Sequence, residues 1–203
     1  MKIKIFTLIF ICILLSMLIA KQNELITIPK EERSLKQTSE KILKGKVLKF
    51  NDGDTFILEG DYIIRLFGID APEYDQTCLL HTEIKGKDNE LIVKDEEIKC
   101  GQESKNKLSD LIYDNEVFCI IRGKDAYDRF VADCGFERYN KKTKRKDRIN
   151  INKEMVLSGH AIAFQKITDK YLEDEHRAKA GNKGIWATTF LTPSDYRKKT
   201  GKE

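Results

Sequence analysis

Carboxylates crowd two short stretches of this chain. Asp52 and Asp54 flank Gly53 in an N-D-G-D turn, and Asp70 and Glu73 bracket Ala71 and Pro72. An Asp-Gly-Asp turn taken alone is a hairpin corner, but a second acidic pair one strand away changes the reading. If both stretches end on the same side of a sheet, four carboxylates converge with no lysine among them, and their repulsion calls for a cation. Donors that are all oxygen select a hard ion, calcium or magnesium, over zinc. Arg65 alternates with Ile64 and Leu66, so it points to the other side of its strand from them. Arg129, just past the turn Asp125-Ala126-Tyr127-Asp128, supplies a second guanidinium. Two arginines, a hard cation and a spare carboxylate are the parts that phosphodiester hydrolysis requires.

Short strands must carry these residues. Segments 46–50, 55–59 and 62–67 alternate or run apolar between tight turns and read as a three-stranded meander; 116–122 and 129–136 bring the strand count to five. Leu108, Leu111 and Ile112 have helical spacing within 101–114. Two further helices are expected at 153–158, capped by Asn152, and 170–180, capped by Asp169, each followed by a glycine. Five strands, an inserted helix and two terminal helices give an α+β chain: a five-stranded OB-type Greek-key β-barrel with three helices.

The N-terminus stands apart from this body. Lys2 and Lys4 precede an uncharged run from residue 5 to 20, which then meets Lys21. That outline is a signal peptide at 1–20 cleaved near Ala20, which makes the protein secreted or periplasmic. The alternative is an uncleaved N-terminal membrane anchor, for which a run of sixteen residues is short. Residues 21–44 are polar and read as a linker, and 191–203 as a basic C-terminal tail.

Four cysteines remain after the signal, in a disulfide-permissive compartment. Antiparallel pairing of 116–122 with 129–136, with 122 facing 131, sets Cys119 opposite Cys134, near disulfide range. Cys78 then pairs with Cys100. Free buried thiols, or a zinc site built on Cys78 and His81, are the alternatives.

Charge is uneven along the chain. The 203 residues carry 37 Lys+Arg against 33 Asp+Glu, a net of +4 that predicts no partner by itself. Residues 73–103 hold nine acids against four lysines and read as a solvated insertion, whereas 138–153 hold eight basic side chains and one acid. A basic hairpin beside a small barrel is suited to a phosphate backbone.

D-G-D-T at 52–55, R-L-F-G-I-D-A-P-E at 65–73, D-x-Y-x-R at 125–129 and K-G-I-W at 183–186, in that order, resemble the staphylococcal nuclease (thermonuclease) family. The resemblance implies a domain at 45–190 and a calcium-dependent endonuclease acting on DNA and RNA, leaving 3′-phosphates; a monomer is expected. It implies that Asp54, Asp70 and the Ala71 carbonyl hold calcium, with Asp52 acting through water. Glu73 becomes the general base, Arg65 and Arg129 bind the phosphate, and Tyr127 lies near the nucleotide. Ala126 and Asp128 depart from the family turn, removing a cation and adding an anion beside Arg129, which predicts weaker substrate affinity. The family tyrosine after the second helix falls at Phe164 or Gln165. The histidines, His81, His160 and His176, lie outside the acidic motifs, which disfavours metal-free histidine catalysis. A noncatalytic OB module that binds nucleic acid is the alternative function.

Overall fold

The computed structural model describes residues 40–85, 87–88 and 90–202. The expected signal segment and residues 21–39 of the expected linker lie outside the described residues. Among the described residues are twelve strands, four α-helices and one short 3-10 helix, Gly184–Ala187. The strands are Ile42–Gly45 (β1), Val47–Phe50 (β2), Thr55–Leu58 (β3), Tyr62–Leu66 (β4), Ile69–Asp70 (β5), Cys78–Lys85 (β6), Leu91–Ile98 (β7), Val117–Lys124 (β8), Phe130–Asn140 (β9), Arg145–Asn150 (β10), Ile162–Ala163 (β11) and Thr188–Thr189 (β12). The helices are Cys100–Ile112 (α1), Ile151–Leu157 (α2), Leu172–Ala180 (α3) and Pro193–Thr200 (α4).

The main sheet runs β1-β8-β9-β4-β3-β2, with β10 added on β9. All neighbours are antiparallel except β4 and β9, which run parallel. Its two ends, β1 and β2, are consecutive in the chain with only Lys46 between them. Alternation along β4 buries Ile64 and Leu66 completely or nearly so and turns Arg65 away from them. The core gathers Phe56, Leu58, Ile64 and Leu66 with Phe136 of β9, Leu108 and Ile112 of α1, and Met155 and Val156 of α2. Each such side chain contributes about 1.5–3 kcal/mol relative to exposure.

The sequence reading is short by several elements. β1 occupies the last residues of the segment read as linker, because Leu43 turns into the core when it faces Cys119 of β8. The acidic insertion forms the β6–β7 hairpin, whose partner β12 completes a separate three-stranded sheet. The fourth helix, α4, rises from the segment read as a tail. The cap of α2 is Asn150, not Asn152: the Asn150 side chain accepts from the Lys153 N–H at 2.9 Å. Asn152 is fully buried instead, accepting from Cys134 N–H and donating to the Phe67 and Ala132 carbonyls. That side chain satisfies backbone groups which burial would otherwise leave unpaired. Tyr171, not Asp169, precedes α3.

Two disulfides are formed. Cys119 faces Cys134 across β8 and β9, and a bulge at Arg122 shifts the register so that Gly123, not Arg122, faces Val131. Cys78–Cys100 joins the root of the β6–β7 hairpin to the first turn of α1 across 22 residues, a closure worth about 3 kcal/mol. With Cys78 so bonded, the zinc alternative lapses. His81 bonds Asp95 and Thr189 instead.

Asp133 of β9 gathers three donors: Arg122 Nε at 2.8 Å, Lys170 Nζ at 2.6 Å and the Tyr171 hydroxyl at 2.8 Å. Burial would raise its carboxyl pKa, but Lys170, Tyr171 and Arg122 outweigh it and hold the group below the ordinary value. A depressed folded pKa gives stabilisation that is present above the unfolded carboxylate range and lost as pH falls through the folded value. Asp133→Ala strips the buried Tyr171 hydroxyl of its acceptor, so urea unfolding at pH 7 is expected to show a loss of about 1–3 kcal/mol. The deficit should shrink below about pH 4. Unchanged stability at pH 7 would contradict this account of the network.

Candidate active site

Antiparallel pairing sets Thr55, the first residue of β3, opposite Arg65 near the end of β4. The Asp52–Asp54 turn precedes β3 and the Asp70–Glu73 segment follows β4, so the two acidic stretches meet at one end of the sheet. The parallel β4–β9 register puts Phe130 opposite Ile64 and Val131 opposite Arg65, so Arg129, just before β9, falls level with Ile63, and its side chain lines the same cleft as Arg65. Two glycines permit close packing here. A Cβ on Gly53 would fall 1.8 Å from the Ser104 hydroxyl of α1, and one on Gly101 would fall 1.8 Å from the Glu73 carbonyl oxygen.

Arg65 joins the acidic stretches directly. Its Nη1 pairs with Asp54 Oδ1, and its Nη2 donates to Asp70 Oδ1 at 2.8 Å. Asp54 is 3% exposed and Asp70 1% exposed. The Asp54 carboxylate also accepts from the Thr55 hydroxyl at 2.9 Å and the Ala71 N–H at 2.7 Å. Asp52 Oδ1 accepts from the Asp54 N–H at 3.0 Å; burial raises the Asp52 carboxyl pKa against the opposing pull of Arg65.

Across the cleft, Asp125 organises the other guanidinium. Its carboxylate accepts from Arg129 Nε at 2.7 Å and from the N–H groups of Tyr127 and Arg129. Burial works to raise its pKa, yet the Arg129 and backbone hydrogen bonds outweigh burial and leave it lowered. The Tyr127 ring is exposed, with the Arg129 guanidinium 5.3 Å from its centroid. Asp128 adopts a left-handed conformation, φ 61°, where the family turn has glycine, and Asp does so with less strain than most residues. Its carboxylate pairs with Lys124 at 2.5 Å, so the anion expected to oppose phosphate beside Arg129 is matched by a lysine.

Asp52, Asp54, Arg65, Ala71, Glu73, Tyr127 and Arg129 thus line one cleft of about 460 Å³. A more apolar hollow of about 500 Å³ adjoins it, sharing Arg65, Tyr127 and Arg129 and adding Phe164 and Ile167. Cys78, Cys100, Cys119 and Cys134 lie elsewhere, in the two disulfides. His160 is part-buried, with Nδ1 3.1 Å from the Ser158 hydroxyl.

Sequence reasoning missed Arg197. This α4 residue donates from Nη1 to Asp70 Oδ1 at 3.1 Å and to Glu73 Oε1 at 2.8 Å, and from Nη2 to Asp70 Oδ2 at 2.9 Å. The segment read as a tail does carry local helix signals: Thr192 caps it, Pro193 opens it, Asp195 follows and left-handed Gly201 ends it. Where that helix docks had no local signal.

Among the described residues no group of three or more His, Cys, Asp or Glu side chains has the spacing of a metal site. Arg65 and Arg197 lie between the carboxylates instead. The donor chemistry nevertheless fits a hard divalent ion: Asp54 and Asp70 are buried, carry only oxygen donors and share one guanidinium.

An α+β fold with an OB-like strand order, presenting acids and arginines in one polar cleft, defines the class. The family described as staphylococcal nuclease homologue matches residues 63–188, and the chain belongs to that family. It is 32% identical over 160 residues to an "Uncharacterized endonuclease" of Haemophilus influenzae (strain ATCC 51907 / DSM 11121 / KW20 / Rd), covering 75% of this chain and 72% of the relative. It is 28% identical over 146 residues to "Probable staphylococcal-like nuclease CAN3" of Oryza sativa subsp. japonica, covering 70% of this chain and 29% of that protein. The rice protein "Probable staphylococcal-like nuclease CAN4" is also 28% identical, over 151 residues that make up 72% of this chain and 24% of its own length. This chain therefore spans less than a third of either rice protein.

Proposed function

We propose that this protein is a secreted, calcium-dependent endonuclease that hydrolyses phosphodiester bonds of DNA and RNA and leaves 3′-phosphates. The observation that carries the reading is the single guanidinium of Arg65 touching both Asp54 and Asp70, in a cleft that Glu73 and Arg129 also line. Export is supported by the N-terminal lysines and apolar run and by the two disulfides, which persist in oxidising compartments. Among the described residues no helix is long and apolar enough to cross a membrane. A monomer with a five-stranded OB barrel belongs to the same reading. The sheet path that starts on β1 and ends on the adjacent β2 supports that barrel.

Asp54, Asp70 and the Ala71 carbonyl would hold calcium, with Asp52 acting through water. Bound there, the ion supplies Lewis-acid polarisation of a phosphoryl oxygen. Glu73 takes the proton of the attacking water at its carboxylate; as the new P–O bond forms, the bond from phosphorus to the 5′ oxygen breaks, that oxygen leaves as a hydroxyl with a proton from solvent, and the phosphate stays on the 3′ end. Arg65 and Arg129 bind non-bridging oxygens and offset the charge that develops on them. Asp125 keeps the Arg129 guanidinium aimed into the cleft, while Tyr127 and the Phe164 hollow offer apolar surface to the nucleotide.

Purified protein incubated with end-labelled single-stranded DNA, duplex DNA and RNA tests this reading. Cleavage to 3′-phosphate ends in calcium, falling at least ~100-fold in EGTA, is the expected result. Retention of nucleic acid without cleavage selects the noncatalytic OB module instead, and cleavage indifferent to EGTA contradicts the metal assignment.

A further inference from the structure

We propose that Arg197 is a third active-site guanidinium, a positioning residue that fixes Glu73 against Asp70 and sets how strongly Asp70 holds the cation. The inference rests on the nuclease reading and adds to it a residue outside the family match, which ends at residue 188.

Three observations carry it. First, the Arg197 fork spans both acids, with two hydrogen bonds to Asp70 and one to Glu73. Its Nη1 alone bridges Asp70 Oδ1 and Glu73 Oε1, so the distance between the metal-ligand carboxylate and the base carboxylate is fixed by one nitrogen. Second, α4 is fastened to the loop that carries Glu73. Buried Gln76 donates from Nε2 to the Leu191 carbonyl at 2.7 Å, Lys202 Nζ pairs with both Asp75 oxygens at 2.6 Å, and the Pro193 ring is buried. These contacts tie the helix to the loop, so the guanidinium is pre-aimed. Third, the Arg197 side chain is 24% exposed and lines the cleft together with Arg65 and Arg129. Solvent screening is reduced there, so one positive charge changes the cleft's affinity for a cation.

Removing this charge has opposite effects on ion binding and turnover. Asp70 loses a competing cation, so calcium binds more tightly. Glu73 loses the contact that orients it, so the reaction slows. The experiment compares the wild-type chain with Arg197→Ala, Arg197→Lys and Thr192→Ala, using calcium titration calorimetry without substrate, steady-state kinetics at saturating calcium and thermal melts. Arg197→Ala is expected to bind calcium about tenfold more tightly and to lose about 10–100-fold in kcat, with KM within about threefold. Arg197→Lys keeps a charge but not the fork, so it should return calcium affinity toward wild type and recover kcat only in part. Thr192→Ala weakens the α4 cap and keeps the guanidinium; it should leave both quantities within about threefold.

Calcium affinity and kcat of Arg197→Ala both within twofold of wild type would overturn the proposal, as would tighter calcium with unchanged kcat. Thr192→Ala reproducing the full Arg197→Ala pattern would reduce the residue to helix docking and overturn it too. A wild-type protein that neither binds calcium nor cleaves overturns this inference together with the nuclease reading. A calcium-dependent wild type beside an indifferent Arg197→Ala overturns this inference alone.

Discussion

Glu73→Gln is expected to lower turnover at least ~100-fold while the protein stays folded. The substitution keeps shape and one carbonyl acceptor, so the bond from Arg197 Nη1 to Oε1 can persist. Main-chain contacts are untouched: the Glu73 N–H reaches Gln76 Oε1 at 3.3 Å, its carbonyl accepts from the Gln76 N–H at 2.8 Å, and Gly101 packs against that same carbonyl. What disappears is the carboxylate's ability to take a proton from water, along with its negative charge. Single-turnover kinetics at saturating calcium, read beside a circular-dichroism melt, measure this loss. Turnover within threefold of wild type would remove Glu73 from the base role.

Arg129→Ala is expected to cost a similar factor, at least ~100-fold in turnover, for a different reason. The Arg129 side chain is 28% exposed at the cleft and held from behind by Asp125, so its guanidinium is pre-aimed rather than recruited. Preorganised charge needs no reorganisation at the moment of reaction, which is why losing one such partner is expensive. Truncation should not melt the turn, because the N–H groups of Tyr127 and residue 129 still bond the Asp125 carboxylate. Near-normal kcat/KM in a folded Arg129→Ala protein would contradict the assignment. A rise in KM with kcat unchanged would also contradict it, since uniform binding of substrate and transition state gives that pattern.

Local pattern revealed what local chemistry determines. The period-two alternation around Arg65 identifies its strand face, and the tight N-D-G-D turn sets β2 against β3. The hairpin symmetry that places Cys119 opposite Cys134 survives in the observed register, failing only past Ile121, where the bulge begins. Features set by distant contacts were hidden. β1 is a strand because β8 offers an edge some seventy residues later, and nothing within its own four residues announces that. Asn152 resembles a helix cap in sequence, but three buried backbone groups of other elements claim its amide, so Asn150 does the capping. Arg197 sits in a lysine-rich terminal stretch that looks like a solvated tail. Its partners lie 124 and 127 residues away, beyond the reach of any local motif.

The proposed nuclease requires Asp54 and Asp70 to hold one divalent ion beside Arg65 and Arg129. Diffraction from crystals grown with calcium and a nucleoside bisphosphate tests it most directly. One ion is expected, with oxygens of both carboxylates at about 2.3–2.6 Å, the Arg65 and Arg129 guanidiniums on phosphate oxygens, and Arg65 released from Asp54. Saturating calcium with no ion at these two carboxylates, and Arg65 still bridging them, would contradict it.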